Sequence, residues 1–178
     1  MDSVQIFLDI IKFILPAVVV FFTAYFVLKN QGEMNLARLK LEVLKQNQQT
    51  LTPIKLQAYE RMTLFLERIS PAQLIQTLNQ PDLSGKALKY GMLTTVQQEF
   101  NYNLSQQIYI SPQAWNLIKV VKEQVIKLIH EASAGMPEQA TGADLSKMIV
   151  DFMMKEGEQP TDKAIKFLKA EVGLMFGQ

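Results

Sequence analysis

The sequence predicts an all-α protein, with one N-terminal transmembrane helix followed by a cytoplasmic multi-helix bundle. Three observations carry this. The run FILPAVVVFFTAYFVL, Phe13 to Leu28, holds no charge. Beyond it, apolar residues recur three and four apart, as a helix face requires, and only one short stretch reads as extended. Thr-Pro and Ser-Pro pairs punctuate the chain, and proline at a first helical position gives up no hydrogen bond.

The apolar run comes first. Phe13 to Leu28 is 16 residues, polar only at Thr23 and Tyr25. At ~1.5 Å per residue it falls short of a hydrocarbon core of about 30 Å. Extension back to Ile10 makes a span of about 10–28 and brings in Lys12, whose long stem snorkels toward the head groups. Phe13, Pro16, Phe21, Phe22, Tyr25 and Phe26 then face lipid or a partner span, and Asp9, Lys12 and Lys29 mark the interfaces. A helix apolar on every face has no place on the surface of a small soluble domain. Pro16 removes one helix hydrogen bond and crowds the Lys12 carbonyl, so a modest kink is expected. Asp9 and Lys12, one turn apart, read as interfacial charges; the sharper alternative is an ion pair that docks into a partner span. There is no basic residue before Lys12 and no small-residue cleavage site in KNQGEMNLA, so an uncleaved anchor is expected rather than a signal peptide. Lys29, Arg38, Lys40 and Lys45 follow the span, which places the tail in the cytoplasm and the N-terminus outside the inner membrane.

The expected organisation is an anchor over 1–31, a juxtamembrane amphipathic helix or linker over 32–52, and a helical domain over 53–178. In the linker, Leu36, Leu39, Val43 and Leu44 share a side, widened by Ala37 and Leu41, before the polar run Gln46 to Gln49. Thr52-Pro53 reads as a helix start, and so do Ser70-Pro71, Ser84, Ser111-Pro112 and Pro160. From Pro53 the expected core face is Ile54, Ala58, Met62, Phe65 and Ile69, with Tyr59 and Leu66 beside it. The helix after Ser84 carries Leu88, Met92, Val96, Phe100 and Leu104 at a spacing of four. QQIYI, Gln106 to Ile110, is the one β-like run. From Pro112 to about Ala134 the apolar face runs through Ala114, Leu117, Ile118, Val121, Val125, Leu128, Ile129 and Ala132, and Trp115 borders it as an anchor for the bundle. The last helix shows Ile165, Leu168, Val172 and Met175. Met148, Met153, Met154 and Met175 read as core filling in preference to a docking surface.

Composition narrows the function. With 18 basic and 17 acidic side chains there is no basic excess to neutralise phosphates, so nucleic acid is not an expected partner. The absence of cysteine removes thiolate chemistry and Cys-ligated metals. His130, the sole histidine, falls on the polar face of its helix and lacks the companions a metal site needs. HEASA lacks the second histidine of a zinc-protease helix. SGKA, Ser84 to Ala87, resembles the end of a phosphate-binding loop, but Gln80 stands where its first glycine belongs and Ala87 where Ser or Thr belongs. No catalytic residue, cofactor or metal is expected.

Docking to another protein is expected instead. On PIKLQAYERMTLFLERISP, Glu60-Arg61 and Glu67-Arg68 repeat at seven residues, and Leu64 stands among these charges. Leu64, Arg61 and Arg68 are therefore candidate partner contacts. So are Phe167 and Leu174, seven apart and opposite the apolar stripe of the last helix.

An N-terminal span, then KLQAYERM, then NLSQQIYIS leading into AWNLIK, resembles a bacterial family of uncharacterised, single-pass, membrane-anchored helical proteins. The resemblance runs over nearly the whole chain and implies an architecture without a chemistry. The expected function is a non-catalytic interaction module, an adaptor, scaffold or accessory subunit of an inner-membrane complex. Its partners would be the lipid bilayer and another membrane or cytoplasmic protein, or a second copy. A stalk-like structural subunit is the alternative, with helix breaks at Thr52-Pro53 and Ser70-Pro71 against it. An enzyme whose site no motif reveals comes third.

Overall fold

The structure is a computed structural model. It describes the backbone of residues 3–177 and the side chains from Lys12 onward, apart from those of 33, 37 and 156. The Asp9 side chain, expected at the interface with an ion pair to Lys12 as the alternative, lies outside the described residues. Six α-helices are described: α1 (Ser3–Arg68), α2 (Pro71–Leu78), α3 (Gly85–Tyr102), α4 (Pro112–Ser133), α5 (Gly142–Glu156) and α6 (Pro160–Met175). A 3-10 turn, Leu104–Ile108, lies between α3 and α4. No strand occurs among the described residues, so the all-α expectation holds. The chain divides into two compact units, Met1–Leu51 and Thr52–Gln178.

In the first unit every described side chain from Lys12 to Leu51 is exposed. Two hydroxyls bond back onto the helix itself, which satisfies them without an outside partner. Thr23 Oγ1 donates to the Val19 carbonyl at 2.8 Å, and Thr50 Oγ1 to the Gln46 carbonyl at 3.1 Å. The helix runs through Pro16.

Three expected helix starts hold in the second unit because a hydroxyl caps each. Ser70, Ser84 and Ser111 accept from the backbone N–H three residues on, at 3.4, 3.2 and 2.9 Å. The helix from Pro160 also begins where expected, without a side-chain cap.

Thr52-Pro53 does not begin a helix; α1 passes straight through it. Proline there forgoes a single backbone bond, at a cost of about 3 kcal/mol. The Leu, Lys, Glu and Gln residues on both sides favour helix, and from Ala58 onward the helix is held by burial. Gln106 to Ile110 is likewise not extended. The 3-10 turn takes up Gln106, Gln107 and Ile108, and Gln107 Nε2 donates to the Leu104 carbonyl at 2.9 Å, a local bond that competes with any strand.

The core is shared among all six helices. Met62, Phe65, Leu66, Ile69, Leu74, Leu88, Met92, Ile118, Ile129, Leu145, Ile149 and Leu168 are each at most 1% exposed. Phe100 stacks on Trp115 with ring centres 5.4 Å apart and lies 6.0 Å from Phe65, joining α1, α3 and α4. Trp115 thus anchors the bundle. The expected stripes fail at their ends: Ile54 is 38% and Leu104 39% exposed. The methionine expectation is corrected too. Met62 and Met92 fill the core and Met153 packs on it, whereas Met148, Met154 and Met175 are exposed.

Candidate interaction surface

Two polar devices hold the second unit together and so fix its surface. The first joins the starts of α3 and α5. Gly85 donates its N–H to the Ala140 carbonyl at 2.8 Å, and Gly142 donates to the Leu83 carbonyl at 2.7 Å. The two stretches are variants of one pattern, Ser84-Gly85-x-x-Leu88 and Thr141-Gly142-x-x-Leu145, with both leucines fully buried. Both glycines fit tightly. A Cβ on Gly142 would stand 2.7 Å from Asn79 Oδ1 and 3.1 Å from the Leu83 carbonyl, and one on Gly85 would meet two carbonyls at 3.2 Å. Thr141 also forms a capping box with Asp144. Thr141 N–H and Oγ1 donate to Asp144 Oδ2 at 2.9 and 2.7 Å, and Asp144 N–H returns to Thr141 Oγ1 at 3.2 Å. These bonds, the backbone one first, hold the Asp144 carboxyl below the usual carboxylate range.

The second device ties α1, α4 and α6. Tyr59 donates its phenol hydroxyl to Glu171 Oε2 at 2.9 Å. Ser111 Oγ donates to both oxygens of the same carboxylate at 2.7 and 2.9 Å, and Ser111 N–H donates to the Tyr59 hydroxyl at 3.2 Å. Burial pushes the Tyr59 phenol above the usual tyrosine value; the hydrogen bond from the Ser111 backbone opposes that shift. Ser111 caps α4 with the same oxygen that faces Glu171, so this arrangement reads as structural.

Three of the sequence-derived candidates meet on that frame. Arg61, Leu64 and Arg68 line one wall of a groove of about 390 Å³, and Glu99, Tyr102 and Asn103 line the other. Arg68 Nη1 donates to both oxygens of Glu99 at 3.2 Å. Asn103, only 6% exposed, is held by its Nδ2 donating to the Glu99 carbonyl at 2.9 Å. Leu64 and Tyr102 are 49% and 73% exposed, so the groove offers an apolar contact between them, beside the exposed Arg61.

Phe167 and Leu174 do not join this groove. Both lie on α6, at 36% and 75% exposure. A second groove of about 410 Å³ runs between α1 and α6, lined by Leu56, Leu168, Val172 and Phe176 among others, and neither of the two lines it. His130 is exposed, as expected, and no cluster of three or more His, Cys, Asp or Glu able to hold a metal occurs among the described residues. Sequence reasoning missed Glu99 and Tyr102, because nothing local says that α3 lies beside α1. It also missed the Thr141–Asp144 capping box, although Thr-x-x-Asp is a readable signal.

The proposed span residues Phe13, Pro16, Phe21, Phe22, Tyr25 and Phe26 are all exposed, as are Lys12 and Lys29. By length and composition α1 is apolar enough to cross a membrane, with a mean hydropathy of 1.8 over its best window and none of that window buried.

Residues 5–175 match a family of unknown function, DUF7935. The chain belongs to that family. The DUF7935 match takes in the apolar segment and the helical unit alike. No curated protein and no solved structure matches the chain.

Proposed function

We propose that this chain is a membrane-anchored helical interaction module, an adaptor, scaffold or accessory subunit of a bacterial inner-membrane complex, without catalysis of its own. One observation carries the reading. The uncharged segment 13–28 has every side chain exposed, whereas the separate unit 52–178 has a complete core of its own. A buried helix of a soluble fold would be covered; an anchor is covered by lipid. The cations that follow the segment favour a cytoplasmic helical unit. The mechanism is tethering: confinement to the membrane raises the effective concentration of the groove around Leu64 near its partner.

A stalk-like structural subunit is the second reading, favoured by the passage of α1 through Pro53 without a break.

The test is fractionation of the tagged full-length chain with an alkaline carbonate wash, followed by mild-detergent purification and mass spectrometry. Retention in the membrane pellet with a stoichiometric second protein supports the module. Release by carbonate overturns the anchor, and recovery of the chain alone overturns the tethering role.

A further inference from the structure

The bonds among Tyr59, Ser111 and Glu171 gather three separate stretches of chain at one end of the helical unit. It is the end by which α1 enters, since Ala58 and Tyr59 are the first buried side chains met along α1 within that unit. α1 brings Ile54 and Leu56 to it. The 3-10 turn, just before Ser111, brings Leu104, Ile108 and Tyr109. The end of α6, just past Glu171, brings Leu174, Met175 and Phe176. All eight side chains are exposed, Ile108 at 74% and Leu174 at 75%. Leu56 and Phe176 line one groove, so α1 and α6 meet there. An apolar surface assembled from three distant stretches beside a complete core marks a contact site.

The chemistry of this end selects a bilayer as the occupant. Residues 100–118 hold no charge over 19 positions, a longer run than 13–28, and residues 172–178 hold none either. The backbone there is bonded within itself, as an apolar medium demands. Gln106 N–H donates to the Asn103 carbonyl, Tyr109 N–H to the Gln106 carbonyl and Phe176 N–H to the Gly173 carbonyl, each at 3.0 Å. At the border stand Lys55, Arg61 and Lys169 against Glu60, and the Glu171 carboxylate is taken up by Tyr59 and Ser111. An apolar centre with tyrosine and a mainly cationic rim suits the head-group layer of an anionic bilayer. A folded partner presents charges of both signs, which this centre has nothing to answer. Residues 29–51 span at most about 35 Å as a helix, so an anchor over 13–28 keeps lipid within reach. We infer that this end of the helical unit docks on the lipid surface, with Leu104, Ile108 and Leu174 entering the head-group layer. The inference rests on the anchor reading for proximity alone.

The chain has no cysteine, so single introduced cysteines report position. Ile108→Cys, Leu174→Cys, Gln139→Cys and Val20→Cys each carry a nitrobenzoxadiazole dye in the full-length chain. The chain sits in vesicles of phosphatidylethanolamine and phosphatidylglycerol with doxyl quenchers at shallow and deep positions of the acyl chains. All four substitutions fall on exposed positions, and circular dichroism checks that the fold is kept. Gln139 serves as the control, because it follows the far end of α4, whose start is Ser111. The dyes at 108 and 174 should lose about half or more of their emission to the lipid quenchers, and the dye at 139 little. Equal emission at 108, 174 and 139 overturns the inference. So does a blue-shifted dye at 108 that the quenchers leave untouched, since it reports a protein neighbour, a second copy included. The dye at 20 reads the anchor separately. Quenching at 20 without quenching at 108 sinks the docking and keeps the anchor, and quenching at 108 without quenching at 20 does the reverse.

Discussion

Gly142 donates its backbone N–H to the Leu83 carbonyl at 2.7 Å, the shorter of the two bonds that lock the start of α5 to the start of α3. A methyl at either glycine meets its neighbours closer than ordinary contact. Gly142→Ala forces a methyl to 2.7 Å from Asn79 Oδ1, and overpacking of this kind costs about 1–3 kcal/mol. Urea denaturation of the helical unit should show the loss. Gly32→Ala, which meets nothing within 4 Å, should leave the midpoint unmoved.

The capping box makes the same region sensitive to acid. The folded Asp144 carboxyl is held below its ordinary value by the Thr141 N–H and hydroxyl. Its contribution is therefore complete above the ordinary value, near 3.9, and is lost as pH falls through the lower folded value. Asp144→Asn should flatten that part of a stability-against-pH curve and lower stability at neutral pH, where the contribution is complete, towards the value the parent shows in acid.

At the alkaline end the responsible group is Tyr59. Burial raises the folded phenol above about 10, so its share of stability is kept below that pH and lost as pH climbs through the raised value. Tyr59→Phe removes this alkaline loss. The variant also deprives Glu171 of a donor and Ser111 N–H of its acceptor, at a cost of about 1–3 kcal/mol at neutral pH. Thermal melts across a pH series separate the two effects.

Leu64 and Phe65 are neighbours with opposite consequences. Leu64→Ala should change stability by no more than about 0.5 kcal/mol, because the side chain is half in solvent. Phe65→Ala removes a ring at 1% exposure and should cost about 3–5 kcal/mol. If the groove docks a partner, Leu64→Ala and Arg61→Ala lower recovery of that partner in a pull-down while the melting temperature holds. Unchanged recovery would exclude the groove.

Much of the helical unit was legible because its signals are local. Ser70, Ser84 and Ser111 cap helices with hydroxyls that need only a neighbour three residues away, and the α4 face from Ala114 to Ala132 follows from a period of 3.6. Thr52-Pro53 carried the same kind of signal, yet α1 continues through it. A start signal records what a residue tolerates, and proline tolerates a helix interior where both flanks favour helix strongly enough. The groove was half legible: Arg61, Leu64 and Arg68 share a helix face, but Glu99 and Tyr102 arrive from 31 or more residues away. Met148 and Met154 were misread because composition cannot say which side of α5 faces the core.

The bond from Tyr59 to Glu171 spans 112 residues, and that separation sets a timetable. At about 5–20 residues per second, roughly 6–22 s pass between synthesis of the phenol and synthesis of the carboxylate that receives it. During that interval the side of α1 that bears Leu56 and Tyr59 waits for α6. The helical unit therefore completes its folding only once α6 has been made. A nascent chain stalled before residue 171 presents an open apolar face, the kind of surface that chaperones hold.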